Sequence, residues 1–278
     1  FEKERVHTRN VAFCVSIVVF LVSFLIICFL CRDIFHAKII DVYFELFFIV
    51  FVPIFLGGSI YQIYKKDFEM KLKKTVMNVL MSAFSGFKWS PTPSIGFSDI
   101  ERSKLFRLFD YVETDDNFKG VYKGIPIKIT EAELIARGNN GTHVIFKGVI
   151  ISIKIPKKFV GHTIIKPKSV FNEFPYPQVN LEDPEFSKRF SVCSTDQVEA
   201  RYLLTTAFIQ RYKEIQKVFC AQSICASFLD DKLMLALAVN KDLFSLGALT
   251  KPLNDTKQFS LLFDEIVSVL ELVEVLKL

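Results

Sequence analysis

The stretch LEDPEFSKRFSVCSTDQVEARYLLTTAF, Leu181 to Phe208, carries the densest set of local structural signals in the chain. Asp183 before Pro184 is a helix start. The carboxylate can accept from free N–H groups, and proline at the first helical position lacks a donor that would go unused there. Glu185 follows in the positive first turn. Phe186 and Phe190 stand four apart and give this short helix one apolar face. FSVCS, 190 to 194, reads as a brief strand. Ser194 and Gln197 then have capping-box spacing, with Asp196 in the first turn of a long helix. The apolar stripe of that helix runs Leu204, Phe208, Tyr212, Ile215, Phe219.

Most of the acids in this stretch lie at or near helix starts, where a carboxylate stabilises the fold by roughly 0.3–1 kcal/mol. Arg201 is different, because it flanks the apolar stripe. A part-buried arginine needs a carboxylate, and Glu182, Asp183 and Glu185 are near in sequence. The expectation is a structural clamp from Arg201 to one of them. The rival reading takes Glu182, Asp183, Glu185 and Glu199 as acid/base or metal groups of a hydrolase. The four histidines, His7, His36, His143 and His162, all lie outside the stretch, and no nucleophile-elbow, zincin or phosphate-loop motif accompanies the acids. No catalytic, cofactor-binding or metal-binding residue is assigned, and no cofactor is implied.

Upstream of the stretch the pattern becomes strand-like. GVYKGIPIKITEAELI, from Gly120, alternates over Ile125, Ile127 and Ile129, and Asn139-Asn140-Gly141 is a hairpin signal before THVIFKGVIISIKI. An antiparallel meander is expected from about 106 to 166. WSPTPS, 89 to 94, breaks a preceding helix, and Ser98 with Glu101 has capping-box spacing for a short one. Between Glu133 and Glu173 the chain has no acid. Its basic residues there include Lys154, Lys157, Lys158, Lys166 and Lys168, a candidate basic surface for anionic headgroups or an acidic partner. The plainer reading is that lysines guard strand edges.

Downstream, SICASFL and KLMLALAV flank Asp230-Asp231 and form a hairpin with apolar side chains on both faces, so it should be central and covered. A last helix is expected from an Asp255 cap with Gln258, with the stripe Phe259, Leu262, Phe263, Ile266, Leu270, Val273. That stripe serves as core or as an oligomer seam. The sequons at Asn140 and Asn254 fall in a region placed in the cytoplasm and read as chance.

The N-terminal region has another character. Val11 to Cys31 is free of charge and, at a helical rise of about 1.5 Å, spans about one hydrocarbon thickness. Leu46 to Tyr64 is a second apolar run, with Pro53 and Gly57-Gly58 of the kind membrane helices tolerate. Lys3, Arg5 and Arg9 precede the first run, and Lys65, Lys66, Lys71, Lys73 and Lys74 follow the second. Only Arg32 and Lys38 lie between. The positive-inside rule then puts both termini in the cytoplasm. Residues 65 to 86 continue as a helix with lysines near headgroups. A chain that begins with Phe1 instead of Met reads as trimmed or incomplete. Half of the residues are hydrophobic and 30 are Phe, while the net charge of +5 gives no case for nucleic acid. Cys28 and Cys31 have redox or zinc spacing, but at the end of an apolar run they read as packing residues.

YVETDDNFKGVYKGIPIKITEAEL, VIFKGVII, VNLEDPEFSKRFSVCSTDQVEARYLLTTAFIQR and FLDDKLMLALAVNKDLF together resemble the bacterial DUF-3137 family, a domain of unknown function, from about Lys65 to Leu278. The resemblance implies two N-terminal spans before a soluble domain, at a bacterial inner membrane. It brings no activity, cofactor or catalytic residue. Cys193 stands where the family usually has Tyr.

The expected organisation is a cytoplasmic tail over 1–10, a transmembrane helical hairpin over 11–64, a juxtamembrane helical linker over 65–105 and a cytoplasmic α+β domain over 106–278. That domain has antiparallel strands, a long central helix and a C-terminal helix. The expected role is a non-catalytic, membrane-anchored binding or scaffolding module. The first alternative is a pleckstrin-like headgroup-binding domain, and the second is the carboxylate hydrolase. Expected partners are the lipid bilayer and a protein or second copy in the membrane, with no nucleic acid.

Overall fold

The computed structural model describes residues 2–30, 39–82, 84, 86–138, 141–168, 175–240 and 257–275. The chain divides into two compact units, one of residues 1–76 with 246–256 and the other of residues 77–245 with 257–278.

The first unit is built from helix α1, Glu2–Leu30, and most of helix α2, Ile39–Ser82. Glu2–Phe29 is long and apolar enough to cross a membrane; an 18-residue window within it has a mean hydropathy of 3.1, and 6% of that window is buried. Phe13, Leu21, Leu25 and Phe29 are exposed. The expected transmembrane hairpin of two helices is not what is found: among the described residues one helix, α1, is long and apolar enough to cross a membrane. The second apolar run, Leu46–Tyr64, forms no separate element. It is the middle of α2, which passes through Pro53 and on through the charged stretch after Tyr64 without a break.

The second unit is a sheet between two coverings. Its strands are β1 (Lys88–Ser90), β2 (Tyr111–Tyr122), β3 (Ile125–Gly138), β4 (Gly141–Lys154), β5 (Thr163–Pro167), β6 (Phe190–Ser194), β7 (Ser223–Leu229) and β8 (Lys232–Ala238). Among the described residues they form an eight-stranded sheet of order β1-β2-β3-β4-β8-β7-β5-β6. The pairings are antiparallel. The β3–β4 hairpin pairs down to Gly138 and Gly141; the expected turn at 139–140 lies outside the described residues. The late β7–β8 hairpin enters the middle of the sheet. Its residues Ile224–Phe228 and Leu233–Leu237 are consequently buried on both faces.

Register assigns the two faces. Phe118, Ile129, Ile151, Leu235, Ala226 and Ile165 lie in one row across the sheet, on the same face as Phe228. Helix α4 (Pro184–Arg189) and helix α6 (Thr206–Val218) bring aromatic rings to this face. Phe208 packs on Phe228 with centroids 5.4 Å apart, and Phe186, Phe190 and Tyr212 form a cluster beside them. Tyr212 is fully buried, and its hydroxyl donates to the Ile224 carbonyl at 2.9 Å. Burial raises its pKa well above the ordinary value. Helix α7 (Lys257–Val275) lies against α6, joined by Arg211–Glu271 at 2.9 Å, and buries Ile266, Val269 and Val273. Phe263, expected on its apolar stripe, is half exposed and packs tilted against Phe84, with centroids 4.7 Å apart. The Asp255 cap lies outside the described residues.

The other face is covered by the segment that holds helix α3, Phe97–Arg102. Ile95, Ile100 and Leu105 pack there with Leu134, Ile150, Ile164 and Cys193. Gly96, not Ser98, occupies the α3 N-cap, and no side chain caps it, because Ser98 is already inside the helix. The expected long helix is also divided. Helix α5 (Gln197–Leu203) ends at Leu204, and Thr205 starts α6 by accepting from the Phe208 N–H at 3.2 Å. A threonine that can cap its own following turn favours a break. The stripe Leu204, Phe208, Tyr212, Ile215, Phe219 stays buried across that break.

Gly148 on β4 has a φ of +151°, and a Cβ built there would stand 2.0 Å from the Leu237 carbonyl oxygen. Gly148→Ala must push β8 away from β4. It should destabilise the domain by about 2–4 kcal/mol, read as a lower urea midpoint for the full chain in detergent.

Candidate binding surface

Three local ties fix the junction between the residue 155–162 connection and α5. Asp196 is the α5 N-cap, and its carboxylate accepts from the Val198 and Glu199 N–H groups, each at 2.9 Å. The capping box expected from Ser194 is absent. Ser194 instead accepts from the Asp196 N–H at 3.0 Å, inside a turn that precedes the helix. Glu199 then reaches across the chain. One carboxylate oxygen accepts from the Val160 N–H at 2.9 Å and the other from the Gly161 N–H at 2.8 Å. Two backbone donors that no strand partner could satisfy are thereby paired. The third tie is at His162, whose N–H donates to Thr195 Oγ1 at 2.8 Å while its carbonyl accepts from the Thr195 N–H at 3.3 Å. Gly161 is required by closeness, since a Cβ there would stand 2.7 Å from that of Asp196.

The His162 ring points into the domain. Lys104 donates to the Tyr176 hydroxyl at 2.9 Å, so the hydroxyl proton is directed at His162 Nδ1, 3.0 Å away. The proton on Nε2 then meets Ser227 Oγ at 2.8 Å and the Ser103 carbonyl at 3.2 Å. Burial favours the neutral imidazole and pushes its pKa down to about 4, with nearby Lys104 and Arg102 acting in the same direction.

What the junction displays outward is apolar and basic. Val160 is 87% exposed, Val198 62% and Tyr202 74%. Val198 and Tyr202 are four apart on α5, and the Val160 backbone is held to the same helix by Glu199. Arg201 is exposed on α5, and Lys157 and Lys158 are exposed in the connection.

The residues singled out in the sequence are distributed otherwise than expected. Arg201 makes no hydrogen bond or ion pair among the described residues, and the expected clamp is not formed. The break at Leu204–Thr205 makes α5 a short separate helix that buries Ala200 and Leu203 and turns Arg201 to solvent. Asp183 caps α4 through the Phe186 N–H at 2.9 Å, with Pro184 at the first helical position. Glu185 pairs with Lys213 at 2.8 Å, which lowers its pKa. Glu182 is exposed. The acids grouped as hydrolase candidates therefore serve separate helices, and Glu199 is engaged with backbone amides.

The basic stretch does not form one surface. β5 runs antiparallel to β4 in the sheet, so Lys154, Lys157 and Lys158 lie at one end of the strands and Lys168 at the other. Lys154 is 3.4 Å from Asp231. Lys166 is only 4% exposed within β5, and burial lowers its pKa. Period-two alternation put it on the inner face, which is a signal that a count of basic residues overlooks. The His162 cluster was not anticipated, because Tyr176, Ser103 and Ser227 are far from it in sequence. The exposure of Tyr202 was hidden for a related reason: seven residues are too few to show which side of a helix is covered.

Residues 144–278 match the family described as protein of unknown function (DUF3137). No curated protein sequence matches the chain. Among solved structures, the crystal structure of the mycobacterial trehalose monomycolate transport factor A, TtfA, is similar at 12% identity and a TM-score of 0.39. The match covers 71% of this chain and 92% of that one. A likeness of that degree carries no further inference.

Glu199→Ala leaves two backbone donors unpaired and should cost about 1–3 kcal/mol, with Glu199→Gln recovering part of it; thermal unfolding of the two variants distinguishes them. His162 gives a pH signature. Its folded pKa of about 4 lies below the unfolded value of about 6.5. Between these values the unfolded chain binds the extra proton, so stability falls as pH drops from 6.5 to 4. His162→Gln should lose that part of the pH dependence when denaturant midpoints are compared with those of the parent chain.

Proposed function

We propose that this chain is a membrane-anchored binding module, a reading supported by the match of residues 144–278 to the DUF3137 family and by the geometry of each unit. It presents the surface formed by Val160, Val198, Arg201 and Tyr202 to a protein partner at the cytoplasmic face of a bacterial inner membrane. α1 is the anchor. The apolar run Leu46–Tyr64 in α2 is a second span in this reading, and the Lys/Arg distribution around both runs supports both termini on the cytoplasmic side.

One observation carries the reading. An exposed tyrosine, two exposed valines and an exposed arginine are gathered on backbone that capping and carboxylate bonds hold rigid. Tyrosine and arginine are the residues that most often dominate protein interfaces, and a rigid presentation lowers the entropy lost on docking. The free Arg201 guanidinium suits an acidic group on the partner. Lys157 and Lys158 add positive charge near the same junction, which supports headgroup binding as a second reading. Their electrostatic contribution is about 1 kcal/mol each, too little for adsorption to lipid without the apolar residues.

A photo-crosslinking residue placed at Tyr202 in native membranes should give a discrete protein adduct of fixed size, and Arg201→Glu should abolish it without changing abundance. If instead the residue crosslinks only to lipid, and Lys157→Glu with Lys158→Glu abolishes adsorption to anionic vesicles, the headgroup reading replaces the protein-partner one.

A further inference from the structure

We propose that the groove between α1 and α2 is a binding site for one anionic phospholipid, with an acyl chain along Gly57–Gly58 and the phosphate at Arg9. The proposal rests on the reading of both apolar runs as membrane-embedded. The groove has a volume of about 680 Å³, within the range of ordinary small-molecule sites.

Its shape comes from two adjacent glycines that do different things. A Cβ built on Gly57 would stand 3.1 Å from the Ser16 carbonyl oxygen and 3.6 Å from Phe20 Cβ, so Gly57 lets the two helices approach closely. A Cβ on Gly58 would meet nothing within 4 Å. The helices are therefore in contact at one position and open at the next. Phe13, Ile17 and Ile54 form the walls of the opening.

The groove is graded in polarity along its length. Arg9, Asn10, Tyr61 and Gln62 line one end, and the apolar side chains line the rest. Residues 9 to 20 of α1 extend over roughly 16 Å at the helical rise, so the polar and apolar ends are well separated. Arg9 is the last charged residue before the uncharged run of α1, which places it at the edge of the hydrocarbon. A single amphiphile has this same order of headgroup and chain.

Charge complementarity selects an anionic headgroup. Arg9 is exposed and has no ion pair among the described residues, whereas Arg5, one turn earlier, is paired with Glu2. A guanidinium offers the forked donor geometry that fits a phosphate. The amides of Asn10 and Gln62 and the Tyr61 hydroxyl line the same end and supply further donors. A parallel copy of the chain in this groove would instead bring a second Arg9 to the first.

The test uses the full chain in nanodiscs and detergent. Native mass spectrometry should show one retained phospholipid per chain, with dioleoyl phosphatidylglycerol preferred over dioleoyl phosphatidylcholine. Arg9→Gln should weaken phosphatidylglycerol retention roughly tenfold, equivalent to about 1.4 kcal/mol, and remove the headgroup preference. Gly58→Leu should fill the groove and reduce retention of both lipids, while leaving thermal unfolding of the soluble unit unchanged. Equal retention by the parent chain and both variants overturns the site while leaving the membrane reading intact. A dimer that Gly58→Leu splits also overturns it, in favour of a second copy as occupant. Release of the chain from membranes by alkaline carbonate overturns both the site and the membrane reading.

Discussion

Strand β8 pairs with β4 from Gly148↔Ala238 to Lys154↔Lys232, and this contact joins the early part of the domain to the late part. One side of the seam is a meander, β1 to β4. The other is assembled from β5 and β6 and from the hairpin that fills the space between. Without the hairpin the inner edges of β4 and β5 would expose unpaired backbone groups. The seam also explains Gly148, because the backbone of β8 passes where a side chain would have to be. It explains why the hairpin strands are apolar on both faces, since a central strand is covered twice.

The two coverings of the sheet are chemically unlike. The α4 and α6 side carries an aromatic cluster whose one hydroxyl, on Tyr212, donates to a backbone carbonyl. The opposite face mixes apolar residues with a buried imidazole, hydroxyls and the buried ammonium of Lys166. Polar groups so placed must be satisfied, and the His162 contacts to Tyr176, Ser227 and Ser103 do this for one of them. The same residue is bonded through its backbone to Thr195 at the turn before α5. A polar cluster inside the domain is thus continuous with the rigid junction that displays Val160 and Tyr202 outside it.

Charge at the end of the sheet near α3 is largely consumed within the domain. Arg102 meets Asp230 and Lys232 meets Asp99, each at 2.7 Å, and Lys154 meets Asp231. Such exposed pairs contribute little to stability, but they leave less free positive charge than a count of lysines suggests. This is why the proposed surface rests on a tyrosine, two valines and an arginine rather than on a basic field.

Much of the architecture was legible in the residues. Asp183-Pro184 specifies its helix by local chemistry alone, since the cap and the missing donor act within one turn. Period-two alternation gave the β3–β4 hairpin, and two-faced apolarity marked β7 and β8 as central. A long uncharged run sufficed for the membrane-length helix α1. What the sequence could not decide was anything that depends on a partner distant in the chain. The end of α5 at Leu204 was invisible to a stripe that continues across it. The pairing of Glu199 with Val160 and Gly161, the burial of Lys166 and the exposure of Arg201 follow from which strands became neighbours. Local bonds are set within a few residues and can be read from their order, whereas burial and pairing are properties of the packed sheet and exist only once β8 has closed against β4.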